Sequence, residues 1–173
     1  EELKITEDGK GVEVKDSVKS LGAHLDNTLS MSSHVTAVVK ACNMNLRNLW
    51  FIGSKLSQRL KLQLVNSLIL SRLDYCNSVL YGITKHDLSK LQKAQNSAIR
   101  FIFGNLIGRW DHISPFLQKA HFLPIKYRIE FKVCLLVYKC INNMAPSYLQ
   151  ELLHIRDPKN NSLRADDDYF LLV

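Results

Sequence analysis

The stretch from Ser57 to Gly82 constrains the fold most, because it predicts one long helix that is apolar on two sides. Neither proline nor glycine interrupts it before Gly82. Ser57 is a suitable N-cap, and Gly82 can adopt the left-handed conformation that ends a helix. Two apolar lines at steps of three and four residues predict that other helices pack around it on more than one side. These lines are Leu60, Leu64 and Leu68, and Leu62, Val65, Ile69, Leu73, Cys76 and Leu80.

Asp74, Tyr75 and Cys76 lie in the second half of this predicted helix. Side chains of these types can surround a nucleophile, but a mid-helix position among apolar residues favours a structural role. Asp74 could pair with a basic neighbour, and the hydroxyl of Tyr75 could donate a hydrogen bond. We therefore interpret the three residues as part of the packing rather than as a catalytic site.

Residues 1–30 alternate apolar and polar residues, which is typical of strands. A turn at residues 7–10 predicts a hairpin, with Leu3 and Ile5 before it and Val12 and Val14 after it. The alternation at residues 18–25 predicts a third strand. Three short strands are marginally stable alone, so we expect helices to cover them.

Glycines and prolines divide the rest of the chain into further helices. Gly53, Gly82 and Gly104 are predicted to end three consecutive helices, and the short loops between them favour antiparallel neighbours. The predicted helix starts are Ser30 or Ser32, Ser57, Thr84 with Asp87 in a capping box, Ser114 with Pro115, Pro124, and Pro146. We expect a mainly α protein: a helical bundle (residues 31–153) with a small N-terminal antiparallel β-hairpin or meander (residues 1–30). We expect residues 154–173 to be a disordered or truncated tail.

The formal net charge of +7 is unevenly distributed along the chain. Residues 31–150 contain sixteen Lys and Arg and four Asp and Glu, whereas the segments on either side contain more acids than bases. A strongly basic helical body favours a polyanionic partner, most simply nucleic acid. The alternative is an ordinary domain with a solvated basic face.

No apolar run approaches the roughly 18–20 residues that span a bilayer. The acidic start of the chain does not resemble a signal peptide, so we expect no membrane partner. The cysteines show no CxxC pairing and lie in helical patterns, which favours reduced, buried thiols in an intracellular protein of the cytoplasm or nucleus. They are Cys42, Cys76, Cys134 and Cys140.

Two predicted helices carry basic residues one to two turns apart, a spacing that can follow a phosphate backbone. In residues 85–103 the basic residues lie opposite an apolar face, and in the helix after Pro124 they form a narrow stripe. Lysines that only solvate the outside of a bundle would show the same spacing. The candidate phosphate-binding residues are Lys90, Lys93, Arg100, Arg128, Lys132 and Lys139.

The sequence contains no pattern of residues that predicts catalysis or metal binding. The only carboxylate cluster, residues 166–168, lies in the polar tail, and no histidine pairs with a cysteine at zinc-ligand spacing. Nucleophile-elbow, P-loop and dinucleotide motifs do not occur. We therefore predict no catalytic residue, no metal site and no cofactor in this chain. The acids of the basic body stand apart from one another: Asp74, Asp87, Asp111 and Glu130.

Several stretches together resemble the region just after the catalytic palm in the reverse transcriptases of non-LTR retrotransposons of the jockey-like kind. They follow one another in family order and cover the chain from about residue 3 to its end. The stretches are VKSLGAHLDNTLSMSSHV (18–35), SRLDYCNSVLYG (71–82), LSKLQKAQNSAIRFIFG (88–104), the residues of 112–153, and SLRADDDYFLLV (162–173).

The resemblance implies that the helices form the thumb and connecting region, which closes over template and nascent strand. The implied partners are an RNA–DNA hybrid or template–primer duplex and the remainder of the polymerase chain. Leu21 and Gly22 are implied to lie nearest the primer. In this family the catalytic aspartates, with their Tyr-x-Asp-Asp turn and Mg²⁺, belong to the palm, and this sequence has no such motif. The expectation is a chain that holds nucleic acid and does not polymerise alone.

A different class of function fits the same residues: a non-catalytic helical protein-interaction module, or a retroelement remnant. The dependence of nucleic-acid binding on salt concentration distinguishes the two interpretations. Thumb-like binding to a hybrid falls steeply as salt rises and weakens on charge reversal at Lys90, Lys93 and Arg100.

Overall fold

The computed structural model describes residues 15–108 and 110–155, together with the strand segments 6–7, 10–11 and 171–172. Within these residues the protein is mainly α-helical, with antiparallel strand pairs before the helices, which confirms the predicted fold class. The helices are α1 (Ser32–Ile52), α2 (Gln58–Val65), α3 (Ser71–Asp74), α4 (Lys85–Phe103), α5 (Ser114–Lys119), α6 (Ile125–Ile141) and α7 (Ser147–Gln150). The strands are β1 (Thr6–Glu7), β2 (Lys10–Gly11), β3 (Ser17–Ser20), β4 (Ala23–Asp26), β5 (His154–Ile155) and β6 (Leu171–Leu172).

The first predicted hairpin is present, and β1 pairs antiparallel with β2. The apolar residues assigned to it, Leu3, Ile5, Val12 and Val14, lie outside the described residues. In the predicted tail, β5 pairs antiparallel with β6, and residues 156–170 are also outside the described part.

The predicted third strand is instead a second hairpin. β3 pairs antiparallel with β4, with Val18 opposite Leu25. The chain reverses at Leu21 and Gly22, which both have positive φ angles of 46° and 90°, as tight hairpin turns require. Because Leu21 is apolar and continues the alternating pattern, the alternation does not predict a turn at this position.

The helix predicted over Ser57–Gly82 is interrupted. α2 passes into a π-helical segment at Asn66–Leu70, and α3 ends at Asp74. Cys76 then takes a left-handed conformation (φ 53°), and a 3₁₀ turn follows at Asn77–Leu80. Asp74, Tyr75 and Cys76 therefore lie at the end of the helix and not in its middle.

The predicted ends of this stretch are nevertheless correct in their local chemistry. The Ser57 side chain caps α2 by accepting from the Leu60 amide at 3.4 Å. Gly82 has a positive φ of 86°, although it follows the 3₁₀ turn and not an α-helix.

The longer predicted apolar line is more deeply buried than the shorter one. In the longer line Val65, Ile69, Leu73 and Leu80 belong to the hydrophobic core, and Leu62 is partly buried against it. In the shorter line Leu64 also packs against the core, whereas Leu60 and Leu68 are exposed. The element at the centre of the core is α4, which packs against α1, α2, α5 and α6.

α1 begins differently from the prediction. Its N-cap is Met31, in the left-handed region and without a side-chain hydrogen bond. Ser30 instead donates to Asp26 from both its amide and its hydroxyl, and the Ser32 hydroxyl donates to Asp87 at 2.6 Å. The two serines that the local pattern assigned to a cap therefore donate to other acceptors, Ser30 to the nearby Asp26 and Ser32 to the distant Asp87.

Gly53 ends α1 for a packing reason. Its backbone is right-handed helical (φ −59°), so it is not the left-handed stop that the sequence predicts. A Cβ at this position would lie 2.9 Å from the ring of Phe101 on α4. Gly53 thus allows the end of α1 to approach α4 closely.

The remaining predicted boundaries are close to those observed. Thr84 caps α4 by accepting from the Asp87 amide at 3.2 Å, and Gly104 follows its last residue. Pro115 lies in the first turn of α5, and Pro124 and Pro146 immediately precede α6 and α7. None of the described helices has the length and apolar character that crossing a membrane requires.

All four cysteines are free thiols. Cys42 and Cys140 are buried and Cys76 is half-buried, but Cys134 is exposed on α6, so the prediction of burial is wrong for that residue. Burial raises the pKa of Cys42 to about 11, which keeps this thiol protonated and unreactive at neutral pH.

Candidate nucleic-acid interface

Lys90 on α4 forms a salt bridge with a carboxylate of the same helix. Its Nζ lies 2.8 Å from Oδ1 of Asp87, whose side chain is only 3% exposed. The Asp87 carboxylate also accepts from the hydroxyls of Ser32 and Thr84, at 2.6 and 3.1 Å. The hydrogen bonds from Lys90 and Ser32 lower the pKa of Asp87 to about 2. Asp87 thus ties the start of α1 to the start of α4 as a charged group, and Lys90 balances its charge.

Arg128 on α6 faces inward. Its Nη1 donates to both carboxylate oxygens of Asp74, at 3.0 and 2.8 Å, and this pair joins α6 to the end of α3. The Nε atom of Arg128 is buried and has no hydrogen-bond partner in the described part of the chain. Asp74 therefore pairs with a basic residue, which confirms the prediction made from the sequence.

Four other predicted phosphate-binding residues keep their charge unbalanced. None of the described carboxylates lies within 4.0 Å of Lys93, Arg100, Lys132 or Lys139. Arg100 donates from Nη1 to the Gly108 carbonyl at 3.1 Å. The first two lie on α4 and the last two on α6.

The outer face of α4 borders an open groove of about 450 Å³ between α4 and α1. We call this the α1–α4 groove, and its lining residues are Asn43, Leu46, Arg47, Trp50, Phe51 and Ser97. Lys93 lies one turn before Ser97, whose hydroxyl donates to the Lys93 carbonyl at 3.0 Å. The groove is therefore lined by Arg47 on α1, and Lys93 stands one helical turn before its α4 lining residue, Ser97.

Two exposed aromatic side chains lie in this groove at the end of α1. Trp50 is 54% exposed and Phe51 is 77% exposed. The Trp50 ring contacts Phe101 edge-on, with 5.4 Å between the ring centroids. Lys61 on α2 places its Nζ 5.5 Å from the centre of the same Phe101 ring. Cations here can contact phosphates, and the aromatic rings can stack on bases or pack against sugars.

Sequence reasoning missed Arg47, Trp50, Phe51 and Lys61 as candidate binding residues. A signal was present: Arg47 stands one turn before Phe51, so the two residues share a face of α1.

Leu21 and Gly22 form the turn between β3 and β4, at some distance in the chain from this groove. The Tyr75 hydroxyl donates to the Leu21 carbonyl, and the Tyr75 ring lies 3.4 Å from the place that a Cβ on Gly22 would take. The predicted hydrogen bond of Tyr75 is thus confirmed. The proximity of Leu21 and Gly22 to a primer stays a prediction.

Comparison of the chain with models of protein families, with curated proteins and with solved structures gave no match. Among the described residues, no group of three or more His, Cys, Asp and Glu side chains is placed to hold a metal ion. The resemblance to retrotransposon reverse transcriptases therefore rests on the sequence stretches alone.

Proposed function

We propose that this chain is the thumb-like and connecting region of a non-LTR retrotransposon reverse transcriptase, and that it holds template–primer nucleic acid in the α1–α4 groove. The observation that carries the proposal is the groove itself. Arg47 lines it together with Trp50 and Phe51, Lys61 lies over the Phe101 ring that Trp50 contacts, and no described carboxylate lies within 4.0 Å of Arg47, Lys61 or Lys93. The resemblance in sequence supplies the family.

Binding of this kind does not depend on base sequence. The groove offers charges for phosphates and flat rings for stacking, and a polymerase needs contacts of this sort because its template changes at every step. Lys93 and Arg100 remain the phosphate-contacting residues on α4. Lys90 and Arg128 stabilise the fold through Asp87 and Asp74 in this proposal.

We do not assign the polymerisation reaction to this chain. The resemblance places the Mg²⁺-binding aspartates in the palm, so the proposal gives this chain no polymerising activity of its own. The exposed apolar side chains of α6 are of the kind that pack against further protein, and we assign them to the remainder of the polymerase. They are Tyr127, Phe131, Leu136, Tyr138 and Ile141.

Fluorescence anisotropy with labelled nucleic acid tests the proposal. We expect the chain to bind an RNA–DNA hybrid at low salt, with an affinity that falls steeply as salt rises. Phe51→Ala should weaken binding to a hybrid with a single-stranded template overhang by about 1 kcal/mol or more, the lower range for loss of a stacking ring. The matched control is Phe131→Ala, which removes an exposed ring from α6. Absence of binding at low salt would overturn the proposal.

A protein-interaction module is the second candidate, and the exposed apolar face of α6 favours it. The two candidate functions use different surfaces: nucleic acid would bind in the α1–α4 groove, and a protein partner would bind the exposed face of α6. If the chain bound no nucleic acid but associated through α6, Phe131→Ala would weaken that association and Phe51→Ala would not.

A further inference from the structure

A second cavity, of about 470 Å³, lies between the β3–β4 hairpin and the helices α1 and α3. We call it the hairpin cleft. Its volume falls in the range of roughly 300–1,000 Å³ that is usual for small-molecule sites. Its polar lining residues include Lys19, His24, His34, Arg72 and Tyr75.

His34 lines this cleft and carries a buried side-chain nitrogen that has no hydrogen-bond partner among the described residues. The residue is only 2% exposed, and its Nδ1 accepts from the His24 amide at 3.4 Å. Burial, with a smaller contribution from His24, lowers the pKa of His34, so the ring is neutral. A neutral ring that accepts at Nδ1 carries its proton on Nε2. Nε2 is buried and has no partner among the described residues. Because a buried donor without a partner is costly, its presence indicates a site for an acceptor.

The charge of the cleft indicates what kind of acceptor it takes. Lys19 and Arg72 line it, none of its lining residues is acidic, and no described carboxylate lies within 4.0 Å of either cation. The two hydroxyls in the lining already donate elsewhere, Ser71 to the Ser67 carbonyl and Tyr75 to the Leu21 carbonyl. The available donors are therefore an ammonium, a guanidinium and an imidazole N–H from three different elements.

We propose that the hairpin cleft binds a phosphate group. A phosphate has several oxygens pointing in different directions, so it can accept hydrogen bonds from donors on different elements, and Arg in particular suits it. The cleft and the α1–α4 groove share no lining residue. The proposal does not depend on the groove binding nucleic acid.

The test is titration of the full chain, labelled with ¹⁵N on histidine, with inorganic phosphate at constant ionic strength. We expect saturable shifts of the His34 ring nitrogens. Arg72→Ala should weaken binding by about tenfold or more, the effect of losing a charged hydrogen bond. Arg59→Ala removes an exposed arginine of α2, outside the cleft, and should leave binding unchanged. His34→Gln keeps a donor near the position of Nε2 and should bind better than His34→Leu.

Parallel titrations identify the source of the phosphate. If a nucleoside monophosphate binds more tightly than inorganic phosphate, the ligand of the cleft is a nucleotide or the end of a nucleic-acid strand. If the two bind equally, the ligand is the free phosphate ion. Linear shifts without saturation would overturn the proposal. So would equal losses in Arg72→Ala and Arg59→Ala, or acetate binding as tightly as phosphate. If His34→Leu fails to fold, the arginine pair still decides the outcome.

Discussion

α4 and α6 both carry basic residues at helical spacing, yet they use them differently. α4 is central to the core and keeps Lys93 exposed beside an aromatic groove. α6 buries few of its residues, namely Ile125, Ile129 and Cys140, turns Arg128 inward onto Asp74, and exposes apolar side chains. Spacing alone therefore does not identify a phosphate-binding residue. What separates the roles is whether a carboxylate reaches the cation, as Asp87 reaches Lys90 and Asp74 reaches Arg128.

The largest expected effect tests the difference in burial between the two helices. Ile99 on α4 is 0% exposed, whereas Leu136 on α6 is 42% exposed. Ile99→Asp places an unpaired charge in the core and should lower the free energy of unfolding by about 4 kcal/mol or more, enough to unfold the chain. Leu136→Asp should retain the far-UV circular dichroism spectrum and a cooperative melt. Unfolding by both variants would show that α6 is as central as α4.

The second largest expected effect is the pH dependence of stability that arises from Asp87 at the start of α4. The pKa of Asp87 is lowered from 3.8 to about 2 in the folded chain. A lowered carboxyl pKa gives stability that is fully present above the unfolded value and is lost as pH falls through about 4 to 2. We expect the free energy of unfolding to fall by about 2 kcal/mol over that window. Urea titrations at several pH values measure it.

Asp87→Asn is the control for that pH dependence. Its carboxamide cannot titrate, so its unfolding free energy should be lower at neutral pH and change less between pH 4 and pH 2. An unchanged pH profile in Asp87→Asn would show that other carboxyl groups cause the acid sensitivity.

A smaller effect tests the inward-facing arginine of α6. Asp74→Ala leaves Arg128 partly buried without its partner, because the two side chains are 30% and 18% exposed. Removing one member of a fully buried pair costs about 3–5 kcal/mol, and partial exposure here reduces the expected loss to about 1–2 kcal/mol. Lys132→Ala on the same helix should change stability by no more than about 0.5 kcal/mol. Equal losses in the two variants would contradict the structural role of Arg128.

Local chemistry in the sequence predicts much of the fold. Thr84 with Asp87, Gly104 and Pro124 mark helix ends, because capping and the missing proline amide act within one turn. The alternation and helical periodicity do not predict the break at Cys76 or the turn at Leu21, since both residues are apolar and continue the pattern around them. The residue before Cys76, Tyr75, donates a hydrogen bond to the Leu21 carbonyl 54 positions away, a contact that no local pattern shows.

The candidate interface is less predictable for the same reason. Asp74 and Arg128 are 54 positions apart, so no local pattern shows that the arginine is paired. Arg47 and Ser97 meet only because α1 packs against α4. Helical periodicity predicted a basic outer face on α4, but the aromatic side of the groove requires the tertiary arrangement.

The most direct measurement compares the salt dependence of hybrid binding for two double variants. Arg47→Ala with Lys93→Ala removes cations at the α1–α4 groove, and Lys132→Ala with Lys139→Ala removes the same charge from α6. We expect the groove variant to bind the RNA–DNA hybrid more weakly, with a slope of log affinity against log salt reduced by about two, since each phosphate contact contributes about 0.9. The α6 variant should match the unmodified chain. Equal loss in both variants, or greater loss in the α6 variant, would contradict the groove as the site of binding.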